Sequence, residues 1–84
     1  MQIKTELQDI IGKTITGILV TDHVRVPQRQ VFLVFSDNTH YELYSMSGDL
    51  CFTSKVHEGA MAAVERAAAQ MGGSIVKFTE IKAP

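Results

Sequence analysis

Three histidines and one cysteine are the residues of this 84-residue chain that most often build metal sites and nucleophilic pairs. His23, His40 and His57 are spaced evenly, seventeen residues apart, and Cys51 lies between the last two. Metal-binding sequences usually place ligands close together, as in CxxC or HxxxH, and no such pair occurs here. We therefore expect scattered surface histidines, a small buried cysteine, and neither a metal site nor a cofactor.

A second candidate for chemistry is the alternation of His40, Glu42 and Tyr44 along one predicted strand. Alternate residues of a strand project from the same face, so these side chains could form an acid–base group. The plainer interpretation is a solvated sheet face. A third interpretation is a partner-binding surface that also includes Phe32 and Val34.

Arg25 and Arg29 form a small basic loop, which indicates nucleic-acid binding as an alternative function, with Phe32 and Tyr44 as stacking residues. The net charge of −1 provides no general attraction to nucleic acid, and the lysines are dispersed along the chain. An exposed loop with two arginines is the simpler explanation.

Composition predicts one globular domain over residues 1–84, with 45% hydrophobic residues and mixed charges. A single cysteine excludes an internal disulfide framework and favours a reducing, cytoplasmic setting. A polar segment follows Met1, so no signal peptide is expected. No apolar run approaches the roughly 20 residues of a membrane span.

The most strongly patterned stretch is a predicted hairpin in the middle of the chain. Residues 31–35 form an unbroken apolar run that indicates a strand, residues 36–38 provide a turn, and residues 40–45 alternate as a returning strand. We prefer a three-residue loop with Asn38 left-handed, because a two-residue loop would place Glu42 unpaired on the apolar face.

This register divides the hairpin into two faces. One face is entirely apolar and is the expected core: Val31, Leu33, Phe35, Tyr41 and Leu43. The other is half apolar and half polar: Phe32, Val34, His40, Glu42 and Tyr44.

The remaining elements follow from periodicity and from glycine positions. Before the hairpin, the sequence predicts a short amphipathic helix that ends at Gly12. The apolar side of this helix carries Ile3, Leu7, Ile10 and Ile11. A strand over residues 14–21 follows, in which Gly17 marks a bulge or a close approach. After the hairpin, the sequence predicts a short strand Leu50–Phe52, followed by possible helix caps at Thr53 and Ser54. A helix from about His57 to Met71 then ends at Gly72–Gly73, and the last element is a strand Ser74–Thr79. The long helix should bury the stripe Ala60, Met61, Val64, Ala67, Ala68 and Met71.

The predicted order is α-β-β-β-β-α-β, an α+β fold. We expect a mainly antiparallel, four- to five-stranded meander sheet with the long helix packed on one face and a short N-terminal helix. The pattern leaves the last strand free to pair parallel to the first strand or antiparallel at an edge.

The leading functional hypothesis is a small non-catalytic protein–protein interaction module, either a homodimer or a subunit docked to another protein. One long helix covers one sheet face, which would leave Phe32, Val34 and Tyr44 as an apolar patch rimmed by His40 and Glu42. Nucleic-acid binding through Arg25 and Arg29 is the second hypothesis. A small enzyme that uses His40, Glu42 or Cys51 is a remote third.

Overall fold

A six-stranded antiparallel sheet with one α-helix packed against it forms the computed structural model, which describes residues 5–23, 29–53 and 55–79. The strands lie in the order β4-β3-β2-β1-β6, and β5 pairs with β3 beside this path. In chain order the elements are a 3-10 helix (Thr5–Ile10), β1 (Ile15–Asp22), β2 (Arg29–Phe35), β3 (Thr39–Met46), β4 (Asp49–Phe52), β5 (His57–Glu58), α1 (Met61–Met71) and β6 (Ser74–Thr79). The predicted α+β class is confirmed.

The central hairpin has the predicted loop and register. Val31 lies opposite Leu43 and Leu33 opposite Tyr41, and Asn38 has a left-handed backbone with φ of 65°. An asparagine tolerates this conformation because its short polar side chain hydrogen-bonds locally. This register determines which side chains of β2 and β3 share a face of the sheet.

The helix packs on the opposite face of this hairpin from the one we expected. Phe32 and Val34 are only 4% and 2% exposed and form a core cluster with Leu19 of β1 and with Val64 and Ala68 of α1. The prediction that Phe32 and Val34 form an exposed patch is therefore wrong. The all-apolar face is the one turned away from α1.

A close approach at Gly17 and a hydrogen bond from Lys77 join α1 to this sheet face. Gly17 interrupts the register between β1 and β2, and a Cβ atom there would lie 2.5 Å from the Met61 methyl group. The predicted bulge or close approach at Gly17 is confirmed. On the same face, the Lys77 ammonium group of β6 donates a 2.6 Å hydrogen bond to the Glu65 carboxylate of α1.

The N-terminal element is a 3-10 helix of six residues where we expected an amphipathic α-helix. Its length cannot offset the unfavourable nucleation of an isolated α-helix, and Gly12, with φ of 88°, follows its end. Ile11 is exposed, contrary to its assignment to the apolar side. Ile3 lies outside the described residues.

The long helix begins at Met61, four residues later than predicted. His57 and Glu58 pair with β3, and Gly59 has φ of 121°, so the chain is not helical before Ala60. Ala60 is the N-cap residue and makes no side-chain cap hydrogen bond, so Thr53, one of the two possible caps, does not cap this helix. Ser54, the other, lies outside the described residues. Ala67 of the expected apolar stripe is exposed.

The last strand takes the second of the two pairings left open. β6 runs antiparallel to β1 at one edge of the sheet, with Val20 opposite Val76. The helix stop at Gly72–Gly73 is confirmed by positive φ values of 75° and 84°. No helix in the described part of the chain has the length and apolar content needed to cross a membrane.

Candidate functional site: the open face of the sheet

The sheet face turned away from α1, called the open face below, carries two continuous rows of apolar side chains. Each row arises because directly paired residues of neighbouring strands point to the same side. The first row crosses the sheet as Val76, Val20, Val31, Leu43 and Phe52, and the second as Phe78, Ile18, Leu33 and Tyr41. A contiguous apolar surface of this kind is a candidate contact site.

Exposure on the open face is greatest at its two edges. On β6, Val76 is 51% and Phe78 is 56% exposed, and on β4 Leu50 is 55% exposed. The central members of the rows are half-buried, as expected for side chains shielded by their neighbours within a flat sheet. The apolar surface therefore extends from one edge strand to the other.

One end of the open face is covered by the chain itself. Phe35 and Tyr41 are buried, the Lys13 ammonium group lies 5.6 Å from the centre of the Phe35 ring, and the Tyr41 hydroxyl donates a 2.7 Å hydrogen bond to the Thr53 carbonyl oxygen. The ammonium–ring contact is a cation–π interaction. On β2 and β3, the accessible apolar surface is consequently the part that lies towards Asp22 and Arg29, whereas on β6 Phe78 stays exposed.

A cavity of about 490 Å³ lies at that accessible end. Its size is within the range of small-ligand pockets. Open-face side chains from three adjacent strands contribute to its wall, namely Val31 of β2, Leu43 and Ser45 of β3 and Leu50 of β4, together with Asp22, His23, Arg29 and Tyr44. The lining is apolar at its centre and charged at one side, which suits an aliphatic side chain with a polar neighbour.

The charged side of the cavity consists of a cross-strand ion pair. Arg29 donates a 3.4 Å hydrogen bond to the carboxylate of Asp22, its direct partner on β1, and both side chains are exposed. The guanidinium proposed for nucleic-acid contact is thus partly neutralised. Arg25, the other arginine of that hypothesis, lies outside the described residues.

On the helix-covered face, a buried polar cluster surrounds the Gln30 side chain. Its oxygen accepts hydrogen bonds from the Thr21 hydroxyl at 3.0 Å and from His23 Nε2 at 2.9 Å, and its amide nitrogen donates to Glu42 at 2.7 Å. This pattern places the His23 proton on Nε2. Nδ1 of His23 is buried and has no hydrogen-bond partner among the described residues.

His40 and Glu42, the two candidates for acid–base chemistry, share the predicted face but contact different groups. Nδ1 of His40 donates a 2.9 Å hydrogen bond to the Gly59 carbonyl oxygen, and its ring stacks on His57 with 5.5 Å between ring centres. Glu42 accepts its hydrogen bond from Gln30. Tyr44 is half-buried, opposite Gln30.

Cys51 is a free, half-buried thiol that lies opposite Tyr44 on the helix-covered side of β4. The same register places Leu50 and Phe52 on the open face, opposite Ser45 and Leu43. Across residues 5–23, 29–53 and 55–79, no three His, Cys, Asp or Glu side chains are grouped so that they could hold a metal ion.

The open-face residues of β6 are the part of the surface that sequence reasoning missed. The alternation of Val76 and Phe78 with Ile75 and Lys77 is visible in the sequence. Only the antiparallel pairing to β1 shows that Val76 and Phe78 extend the apolar rows of the hairpin. A two-sided apolar pattern in a last strand is the signal that could have indicated it.

Comparison of the chain with protein-family models, with curated proteins and with solved structures found no match.

Proposed function

We propose that this chain is a small, non-catalytic, cytoplasmic interaction module that works by covering its open face with a protein surface, either its own second copy or a partner subunit. The observation that carries the proposal is the pair of apolar rows that ends in the half-exposed side chains Val76 and Phe78. The single cysteine, Cys51, supports the reducing compartment.

The dimensions of the fold support an external partner. Five strands about 4.8 Å apart give a sheet roughly 24 Å wide, whereas one helix is about 10 Å in diameter. The helix α1 is the only α-helix among the described residues, and it lies on the other side of the sheet. Contiguous apolar patches beyond a few hundred Å² commonly mark contact sites.

The catalytic hypothesis has less support because its candidate side chains already serve the fold. His40 donates a hydrogen bond to the Gly59 carbonyl oxygen, and Glu42 accepts a hydrogen bond from the Gln30 side-chain amide. Both groups are therefore used to position β5, α1 and the core. We propose a structural role for them.

Variants on the two sides of β6 test the proposal. Val76→Asp places a carboxylate on the open face, and Ile75→Asp is the matched control, because Ile75 is a similarly exposed residue on the opposite side of the same strand. We expect light scattering of the purified chain, or capture from the native host, to show a complex that Val76→Asp weakens about tenfold or more and Ile75→Asp leaves intact. A chain that forms no complex, or a complex indifferent to Val76, would contradict the proposal.

The nucleic-acid hypothesis makes a separate prediction for the same proteins. Binding of single-stranded oligonucleotides that weakens steeply with salt, and that Arg29→Gln reduces, would favour it over the proposal. The Asp22–Arg29 ion pair leads us to expect no such binding.

A further inference from the structure

We infer that the surface covering the open face is a second copy of this chain, related by a two-fold axis that runs parallel to the strands between β1 and β2, so that Val76 of each copy enters the cavity of the other. This inference rests on the proposed function and specifies its partner. It follows from the unequal halves of the open face. The half at the β6 edge projects, because its apolar side chains are exposed, and the half around β3 is hollow, because it contains the cavity.

The projecting half is the β6 edge and the hollow half is the region of β3. Val76 and Phe78 are more than half exposed on β6, and the cavity of about 490 Å³ lies on the β2–β3–β4 side, with Leu43 in its wall. Rotation about an axis between β1 and β2 exchanges β1 with β2 and places β6 over β3 of the second copy. Val76 and Leu43 belong to the same apolar row. The rotation therefore places Val76 over the cavity of the second copy without any shift along the strands.

The same rotation brings opposite charges together. Asp22 and Arg29 lie directly opposite each other on β1 and β2, one on each side of the axis. Asp22 of one copy is therefore placed over Arg29 of the second copy, and the reverse contact forms by symmetry. Four charges would then alternate in sign around the axis, which favours this register over others.

Other symmetric arrangements use these features less well. A two-fold axis across the strands places β6 over β6 and β3 over β3, so Val76 does not reach the cavity of the second copy. Edge-to-edge pairing of two β6 strands extends the sheet but leaves both apolar rows in water. Only the axis parallel to the strands fills the cavity and pairs the charges.

The area of overlap is sufficient for a concentration-dependent dimer. Four overlapping strands span roughly 19 Å, and their average length of about seven residues corresponds to roughly 23 Å, which gives a flat footprint of roughly 440 Å² per copy. Projecting side chains add to this figure, so the total lies near the ~1,000 Å² that separates specific interfaces from incidental ones. Two sheets packed face to face lie about 10 Å apart with strands within about 30° of each other, so β6 stays over β3.

Complementation between two charged variants tests this arrangement. Val76→Glu damages the projecting half and Leu50→Lys damages the wall of the cavity, and both positions are exposed enough for the fold to tolerate them. Each variant alone should dimerise about tenfold or more weakly than the wild type, measured by light scattering from about 1 μM to about 1 mM. An equimolar mixture should dimerise more strongly than either variant, because a mixed dimer contains one undamaged contact and one in which the new carboxylate lies beside the new ammonium group.

Restored dimerisation in the mixture, with Ile75→Glu dimerising like the wild type, would support the arrangement. Two weakened variants that do not complement would overturn the arrangement while leaving the proposed interaction face intact. Variants that dimerise like the wild type would show that two copies associate through a surface other than the open face, which would overturn both the arrangement and the proposed face. A wild type that is monomeric throughout would overturn the second copy as partner. Circular dichroism of each variant excludes unfolding as the cause of weak association.

Discussion

Gln30 donates a 2.7 Å hydrogen bond from its side-chain amide to the carboxylate of Glu42, across the β2–β3 pair on the face that α1 covers. The two residues are diagonal neighbours, since Gln30 lies opposite Tyr44 and Glu42 opposite Phe32. A diagonal contact between long side chains is within normal reach in an antiparallel pair. The Gln30 amide therefore provides the hydrogen bond that allows the Glu42 carboxylate to lie next to the core residue Phe32.

Replacing Gln30 by alanine should destabilise the fold by about 2–3 kcal/mol. The substitution leaves the Glu42 carboxylate, the Thr21 hydroxyl and His23 Nε2 without the partner that each now has. A buried polar group left unpaired costs about 1–3 kcal/mol, and part of that cost is relieved where water can enter. Urea unfolding followed by circular dichroism measures the change in the free energy of unfolding.

Gln70→Ala provides the matched control, because Gln70 is an exposed glutamine of α1. Surface substitutions of this kind usually change stability by less than about 0.5 kcal/mol. Equal effects of the two substitutions would show that the Gln30 cluster contributes nothing beyond an ordinary glutamine.

The Gln30 cluster also explains which part of the fold could be predicted from the sequence. Loop length and hairpin register followed from the preference against burying an unpaired Glu42, and both are confirmed. The same preference led to the wrong choice of core face, because a half-polar face seemed unsuited to α1. Glu42 can lie on the helix-covered face because its carboxylate accepts a hydrogen bond from Gln30, which is twelve residues away along the chain. A hydrophobicity pattern does not show pairing of this kind.

The open face illustrates a second limit of sequence reasoning. The alternation in β6 predicts a strand with Val76 and Phe78 on one side. Which strand β6 pairs with is decided by long-range contacts across more than fifty residues, as in the pair Val20–Val76. Local periodicity carries no information about such a pairing, so the rows that form the candidate site emerge only from the assembled sheet.

Gly73→Ala should destabilise the fold by more than about 2 kcal/mol. A Cβ atom at this position would lie 2.4 Å from the Asp22 carbonyl oxygen and 2.6 Å from His23 Nδ1, and the φ angle is +84°. The clash is with backbone and with a buried ring, neither of which moves easily, and a positive φ adds roughly 1–2 kcal/mol for an L-residue. Thermal and urea unfolding both measure the effect.

Gly48→Ala separates the two contributions. Gly48 has nearly the same φ, +85°, but nothing lies within 4 Å of a Cβ atom built there. Its substitution should cost only the conformational part, about 1–2 kcal/mol. A Gly73 variant no less stable than the Gly48 variant would show that β6 shifts freely away from the end of β1.

Leucine substitutions at two adjacent alanines of α1 test where the helix meets the sheet. Ala68 is fully buried in the cluster with Phe32 and Leu19, whereas Ala67 is exposed. Ala68→Leu should cost about 1–3 kcal/mol through overpacking, and Ala67→Leu should change stability by less than about 0.5 kcal/mol, because both residues are good helix formers. Equal costs at the two positions would place α1 on the sheet in a different rotation.

The carboxyl group of Asp37 should titrate below its ordinary range. The hydrogen bond from the Lys13 ammonium group lowers the pKa of Asp37 most, and the Thr39 hydroxyl lowers it further. A carboxyl group whose pKa is lower in the folded than in the unfolded state stabilises the fold above the unfolded value of about 3.9, and this contribution disappears as the pH falls through the folded pKa. Carbon-detected NMR titration measures the pKa directly.

Lys13→Gln should raise the pKa of Asp37 towards the ordinary value, since it removes the largest cause of the shift. Lys55→Gln is the control, because Lys55 is an exposed lysine that forms no ion pair among the described residues. High salt should act in the same direction as Lys13→Gln, because exposed ion pairs are screened over a Debye length of about 3 Å at 1 M ionic strength. An Asp37 pKa that responds neither to Lys13→Gln nor to salt would mean that the contact between the start of β1 and the β2–β3 turn does not persist in solution.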